Sequence, residues 1–138
     1  NREGIPIKAG VREIFGYLQE KHIPAALATS SPRHVVDDYL SRAKFTGFFA
    51  AILTGDMLTN GKPHPEIYLK AAHVLKKDIR ECLVIEDSIA GVEAARRAGM
   101  TCLAVTTTNP RQALSHATLV VDTLAQLDPA EFIHPADR

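Results

Sequence analysis

The stretch "CLVIEDSIAGVEAARRAGM", residues 82–100, changes its backbone habit in the space of two acids. Cys82, Leu83, Val84 and Ile85 form an uninterrupted apolar run, the pattern of a strand covered on both faces. Glu86 and Asp87 end it. A helical stretch of mainly small residues follows, and Gly99 stops it, because glycine readily takes the left-handed conformation that closes a helix. A buried strand that runs directly into a helix is the building unit of a parallel α/β sheet.

The same unit recurs on both sides. Upstream, Val11, Ile14, Phe15 and Leu18 fall at i, i+3, i+4 and i+7, which predicts a helix over 11–21. "IPAALATS" (23–30) reads as a strand, with Pro24 tolerated near its start. Residues 31–45 place Val35, Val36, Tyr39, Leu40 and Ala43 on one helical face. "FFAAILTG" (48–55) reads as a strand, and 55–65, with Gly55, Gly61, Pro63 and Pro65, as a loop. Residues 65–76 are helical with Ile67, Tyr68, Ala71, Ala72 and Leu75 inward. Downstream, "TCLAVTTT" (101–108) is a strand, "ALSHA" (113–117) a helical turn and "TLVVD" (118–122) a short strand. "LAQLDPAEF" (124–132) docks as a turn of helix, and "HPADR" (134–138) is expected to fray. Strands alternate with helices five times. This predicts a parallel, doubly wound, Rossmann-like α/β sheet in three layers, α/β/α, with residues 1–138 as one domain.

At 138 residues, 46% hydrophobic and 23% charged, the chain can bury a core without staples. Its 16 Lys and Arg balance 16 Asp and Glu with no basic run, so general nucleic-acid affinity is not expected. No apolar stretch reaches the length of a membrane span, and no signal-peptide pattern occurs. Cys82 and Cys102 each open an apolar run and read as reduced core thiols, which sets a cytoplasmic expectation. The histidines show no zinc spacing.

Ligands of an open parallel sheet bind outside the carboxyl ends of its strands. The first strand delivers Thr29, Ser30 and Ser31 there, and the third delivers Glu86 and Asp87. Lys62 precedes the intervening helix in "GKPHPEIYLKAA" (61–72). Ser31 as N-cap with Pro32 at the first helical position accounts for that pair by capping alone. Thr29 and Ser30 are left over, and the unpaired N–H groups of a helix start suit a phosphate. Asp87 or Ser88 can cap the helix after the third strand. One cap is enough, however, and adjacent carboxylates repel, so a hard divalent cation such as Mg2+ is the other reading. Lys62 stands at the positive end of a helix dipole, in a frame stiffened by Pro63 and Pro65. A loop lysine is ordinarily just solvated. This placement makes sense if an anion faces it, either the Glu86/Asp87 pair or a ligand phosphate. Arg33 could add a phosphate contact, although a solvated arginine is the simpler reading. Asp37 and Asp38 read as a solvated helix face, and Asp56 as a turn residue.

In this order, "ALATSSP", "GKPHPEIY" and "CLVIEDSIAGVEAARRAGM" resemble the second, third and fourth motifs of the haloacid dehalogenase (HAD) superfamily. The resemblance is to its β-phosphoglucomutase-like phosphatases and mutases, over residues 5–127. It implies Mg2+-dependent phosphoryl transfer through an aspartyl-phosphate: a carboxylate attacks phosphorus, then water or a sugar hydroxyl takes the group away. By the same resemblance, Thr29 and the Ser30 backbone would hold the phosphoryl group. Lys62 would bridge the nucleophile and the phosphate oxygens. Asp87 would bind Mg2+, with Glu86 beside it as ligand or support. The partner would be a phosphorylated small molecule: sugar phosphate, phosphoglycolate, nucleotide or pseudouridine phosphate.

The family's first motif, D-x-D-x-[TV], carries the nucleophile, and no D-x-D occurs in this sequence. The family's helical cap precedes the second motif, and this chain opens at Asn1-Arg2-Glu3, where the cap would end. The expectation is the C-terminal part of a longer protein, inactive alone. In the family, the motif-one strand lies between the strands ending at Thr29 and at Glu86. Without it, two unpaired edges face each other. The chain is expected to pair those strands directly, to take a strand from its missing N-terminal segment or another chain, or to have been cut after folding. A HAD-like module that binds phosphate and metal without turnover is the alternative function. A receiver domain carries its acids first and its lysine last, the reverse of this order. A dinucleotide site needs G-x-G-x-x-G after a strand, and none occurs.

Overall fold

The computed structural model describes residues 9–133; the tail expected to fray and the first residues of the family likeness lie outside them. Helix α1 (Val11–Glu20), strand β1 (Ala26–Ala28), α2 (Arg33–Ala43), β2 (Ala51–Leu53) and α3 (Glu66–Leu75) come first. Then follow β3 (Leu83–Glu86), α4 (Ile89–Ala98), β4 (Thr101–Val105), β5 (Leu119–Val121) and α5 (Pro129–Phe132). Single 3-10 turns lie at Gly55–Met57, Ile79–Glu81, Arg111–Leu114 and Leu124–Gln126. The predicted elements are present, with strands shorter than the stretches predicted for them.

Every ladder is parallel. β1 pairs with β2 (Leu27 opposite Ile52), β3 with β4 (Ile85 opposite Leu103), and β4 with β5 (Ala104 opposite Val120). The sheet comes in two parts, β1-β2 and β3-β4-β5. Direct pairing of β1 with β3, one of the expected ways to close the gap, therefore does not occur among the described residues. At their carboxyl ends a side chain links them instead: Lys62 Nζ donates to the Ala28 carbonyl at 3.4 Å and to Glu86 Oε2 at 2.9 Å.

β4 shows why the layers hold. Its residues alternate by face. Cys102 and Ala104 enter the larger core with Ile67, Tyr68, Ala71, Val92, Ala95 and Ala98 of α3 and α4. Leu103 and Val105 join Val121 in a second core, against Leu124, Leu127 and Phe132. α3 packs on β1, β2 and α4, while α4 packs on β3 and β4. The α3–α4 pair thus lies across both sheet parts and ties them together. Each large apolar side chain buried there contributes about 1.5–3 kcal/mol.

Three expectations need correction. Ile85 is 40% exposed, so the second face of β3 is only partly covered: Val84 on one side meets the α3–α4 core, while on the other Leu83 packs against the second core and Ile85 is left open among the described residues. On α2, Val36, Leu40 and Ala43 are buried whereas Val35 and Tyr39 are exposed. The buried set follows i, i+4, i+7, and the other two lie one residue, about 100°, off that stripe. Finally, α2 starts one residue later than capping by Ser31 requires. Pro32 is the N-cap, with no side-chain cap bond from its own position, and its carbonyl accepts from Val35 and Val36 N–H. Asp56 Oδ2 instead accepts from the Arg33 N–H at 3.4 Å, so the turn residue caps the helix from a distance.

Candidate active site

The loop before α3, which carries Lys62, is tied to the helix that follows it. Glu66, in the first turn of α3, accepts from the Thr59 and Asn60 N–H groups at 3.0 and 2.8 Å and pairs with Lys70 at 2.9 Å. The Lys62–Pro63 peptide is cis. From this frame the lysine reaches across to Glu86, and both side chains are nearly buried, at 11% and 9% exposure. An anion does face the lysine, as its placement demanded.

Glu86 is saturated. Oε2 accepts from Lys62 and from the Tyr68 hydroxyl at 2.6 Å. Oε1 accepts from the Asp87 and Ser88 N–H groups and from Ser88 Oγ, at 3.0, 3.2 and 3.1 Å. Burial alone would raise this carboxyl. The Lys62 charge, the side-chain bonds from Tyr68 and Lys62 and the Ser88 N–H outweigh it and hold the group at about 2. Burial, reinforced by the neighbouring Glu86, pushes the Tyr68 phenol far above its ordinary range, so it remains an O–H donor. A carboxylate offers about four lone-pair directions, and five donors already occupy those of Glu86. It orients Lys62 and closes the start of α4, and little of it is left for a metal. Its seat requires Gly91: a Cβ there would lie 1.9 Å from Glu86 Oε2. Ser88 completes the helix start by accepting from the Gly91 N–H at 2.9 Å.

Asp87 differs from its neighbour. Oδ2 accepts from the Thr107 and Thr108 hydroxyls at 3.2 and 3.4 Å, and Asn109 Nδ2 donates to the Asp87 carbonyl at 3.0 Å. Oδ1 accepts no bond among the described residues. At the end of β1, the Thr29 N–H is tied to Leu53 O at 3.0 Å and Thr29 Oγ1 accepts from the Ser31 N–H at 3.1 Å. The Thr29 hydroxyl proton and the Ser30 N–H remain unassigned among the described residues, giving two donors at the strand end. Arg33 is not brought in: its guanidinium pairs with Asp37 at 3.0 Å on the exposed face of α2.

Lys62, Glu86 and the Ala28 carbonyl just before Thr29 therefore meet, with Asp87 next in chain to Glu86. Sequence reading missed several groups. Tyr68 was visible only as an inward apolar residue, and Gly91 only as one of the small residues of a helix. Thr107, Thr108 and Asn109 were findable, because they follow β4 at the same carboxyl edge that singled out Thr29 and Glu86. Among the described residues no three His, Cys, Asp or Glu side chains gather as a ready metal cage. The free oxygen of Asp87 fits Mg2+ as one ligand of a site completed by other oxygens, since Mg2+ is commonly held by one or two carboxylates together with waters and phosphates.

A family model described as haloacid dehalogenase-like hydrolase matches residues 1–105. The validoxylamine A 7'-phosphate phosphatase of Streptomyces hygroscopicus subsp. limoneus is 32% identical over 118 residues, 86% of this chain and 55% of that protein. The phosphorylated carbohydrates phosphatase of Thermotoga maritima is 42% identical over 91 residues, 66% of this chain and 42% of that protein. The crystal structure of β-phosphoglucomutase from Clostridium difficile superposes with a TM-score of 0.81 at 30% identity, covering 92% of this chain and 54% of that one. The chain thus spans about half the length of these relatives. The motif order, the parallel α/β architecture and these matches agree: the chain belongs to the haloacid dehalogenase-like hydrolases, in the β-phosphoglucomutase-like group.

Proposed function

We propose that this chain is the core part of a Mg2+-dependent phosphatase or phosphomutase acting on a small phosphorylated metabolite. The observation that carries the reading is the reach of Lys62, whose ammonium touches the end of β1 and the end of β3 at once. The Thr29 and Ser30 donors follow Ala28 in the chain and the free Asp87 oxygen follows Glu86, so both stand next in sequence to the two groups that this ammonium joins. That is the arrangement a phosphoryl group with its cation requires.

In this reading the Thr29 hydroxyl and the Ser30 N–H hold phosphoryl oxygens. Lys62 neutralises charge on them and on an attacking carboxylate. Glu86 and Tyr68 keep the ammonium from turning away. Asp87, steadied by Thr107, Thr108 and Asn109, would hold Mg2+, which supplies charge neutralisation for the transferred group. The attacking carboxylate comes from outside this sequence, on a strand that fits between β1 and β3. The relatives' names point to phosphorylated carbohydrates and related compounds as the substrate class.

The test is turnover of p-nitrophenyl phosphate with Mg2+ by the 138-residue chain and by a longer chain carrying an upstream D-x-D. None is expected from the first and activity from the second. Lys62→Ala in the longer chain should abolish it. Its folding must be checked by unfolding curves, because the buried Glu86 carboxylate loses its counter-ion. A folded, fully active Lys62→Ala protein removes the role given to Lys62. Turnover by the 138-residue chain removes the external nucleophile.

A further inference from the structure

Phe15, Phe45, Phe48 and Phe49, four of the chain's five phenylalanines, gather outside both buried cores, between α1 and the α2–β2 connection. Phe15 stacks on Phe48 (centroids 4.2 Å apart, planes at 16°), and Phe45 meets Phe15 edge-on (4.8 Å, 75°). None of the four is fully buried. Large aromatic side chains ordinarily sit in the core, so partly exposed rings in ordered mutual contact are the informative deviation.

Phe15, Phe45 and Phe48 border a cleft of about 400 Å3, within the size of small-molecule sites. Arg12, Gly16 and Lys44 also line it, and it shares no residue with the groups around Lys62. The Arg12 guanidinium lies over the Phe45 ring, 5.7 Å from its centroid. Neither Arg12 nor Lys44 forms an ion pair among the described residues. Gly16 stands inside α1, where glycine is disfavoured relative to alanine. A Cβ there would meet nothing within 4 Å among the described residues, so no packing among them calls for its absence. Gly16 leaves its part of the cleft wall without a side chain.

We propose that this cleft is a second ligand site, for a small planar aromatic anion. A ring system would pack on the phenylalanines, and its oxyanion would be met by Arg12 and Lys44. The concavity suits a single or fused ring rather than a folded partner, whose contact patch would cover about 800 Å2.

The test is a two-dimensional amide NMR titration of the protein with naphthalene-1-sulfonate, which cannot be hydrolysed as a phosphate ester, and with neutral 1-naphthylmethanol. Saturable shifts should be confined to the amides of residues 12–19 and 44–49. The neutral compound should bind about tenfold more weakly or less, for want of the charge contacts. Gly16→Leu, which favours the helix and fills the cleft, should abolish the shifts. Arg12→Glu combined with Lys44→Glu should weaken binding about tenfold or more. Shifts at the residues around Lys62, a spread without saturation, equal affinity for the neutral compound, or unchanged binding in Gly16→Leu would each overturn the proposal. If Gly16→Leu loses its dispersed spectrum, the charge-reversed protein decides, and undiminished binding there overturns it.

Discussion

Gly91→Ala sets two effects of opposite sign against each other. Alanine in a helix interior is favoured over glycine by about 0.5–1 kcal/mol, so the change should by itself stabilise α4. The new Cβ, however, would lie 1.9 Å from Glu86 Oε2 and 2.0 Å from its Cδ, too close for any allowed contact. The carboxylate has to move, and in doing so it gives up Lys62 at 2.9 Å and the Tyr68 hydroxyl at 2.6 Å. Breaking a buried charge pair and leaving its partner uncompensated costs about 3–5 kcal/mol. The expected net result is destabilisation by about 2–4 kcal/mol. In a Glu86→Ala background the clash is gone, and the same change should stabilise by about 0.5–1 kcal/mol. Urea unfolding of the four proteins closes a double-mutant cycle, and the two backgrounds should differ by about 3 kcal/mol or more. Equal destabilisation in both, or stabilisation of the parent protein, refutes the reasoning.

Other consequences are as direct. The Glu86 carboxyl is held at about 2 when folded against an ordinary 4.5. With the folded value the lower one, its contribution is full above about pH 4.5 and is lost as pH falls toward about 2. The unfolding free energies of the parent and Glu86→Gln should therefore converge over that window, and curves that stay parallel count against the assignment. Tyr68→Phe removes one donor to Glu86 and should cost about 1–2 kcal/mol in chemical unfolding. It should leave the alkaline absorbance titration of the folded protein unchanged, because burial and the neighbouring carboxylate keep Tyr68 protonated; a lost titration step contradicts this. Thr107→Val and Asn109→Ala loosen Asp87 and should each weaken Mg2+ binding by about tenfold, read by calorimetry, with Thr107→Ser restoring it. Unaltered affinity in both variants would show that the loop does not steady Asp87.

Much of this protein is written locally. The period of apolar residues, Gly99 at a helix end and the acids after "CLVI" are properties of short stretches, and so the helices, the strands and the carboxyl edge were legible from sequence. So was the need of Lys62 for an anion, because the helix dipole and the flanking prolines are local too. The family likeness rested on three motifs in order, which is also information along the chain. Contacts between distant residues were not legible in this way. Three of the five donors to Glu86 come from its neighbours Asp87 and Ser88. The Tyr68 hydroxyl, however, arrives from α3, and the Thr107 hydroxyl reaches Asp87 from beyond β4. The shared carboxyl edge points to that loop, but no spacing encodes the individual bonds. The exposure of Ile85 depends on what lies opposite that end of the strand. Adjacent acids with the same local pattern were thus given different chemistry by packing, since burial and hydrogen-bond saturation are set by neighbours in space.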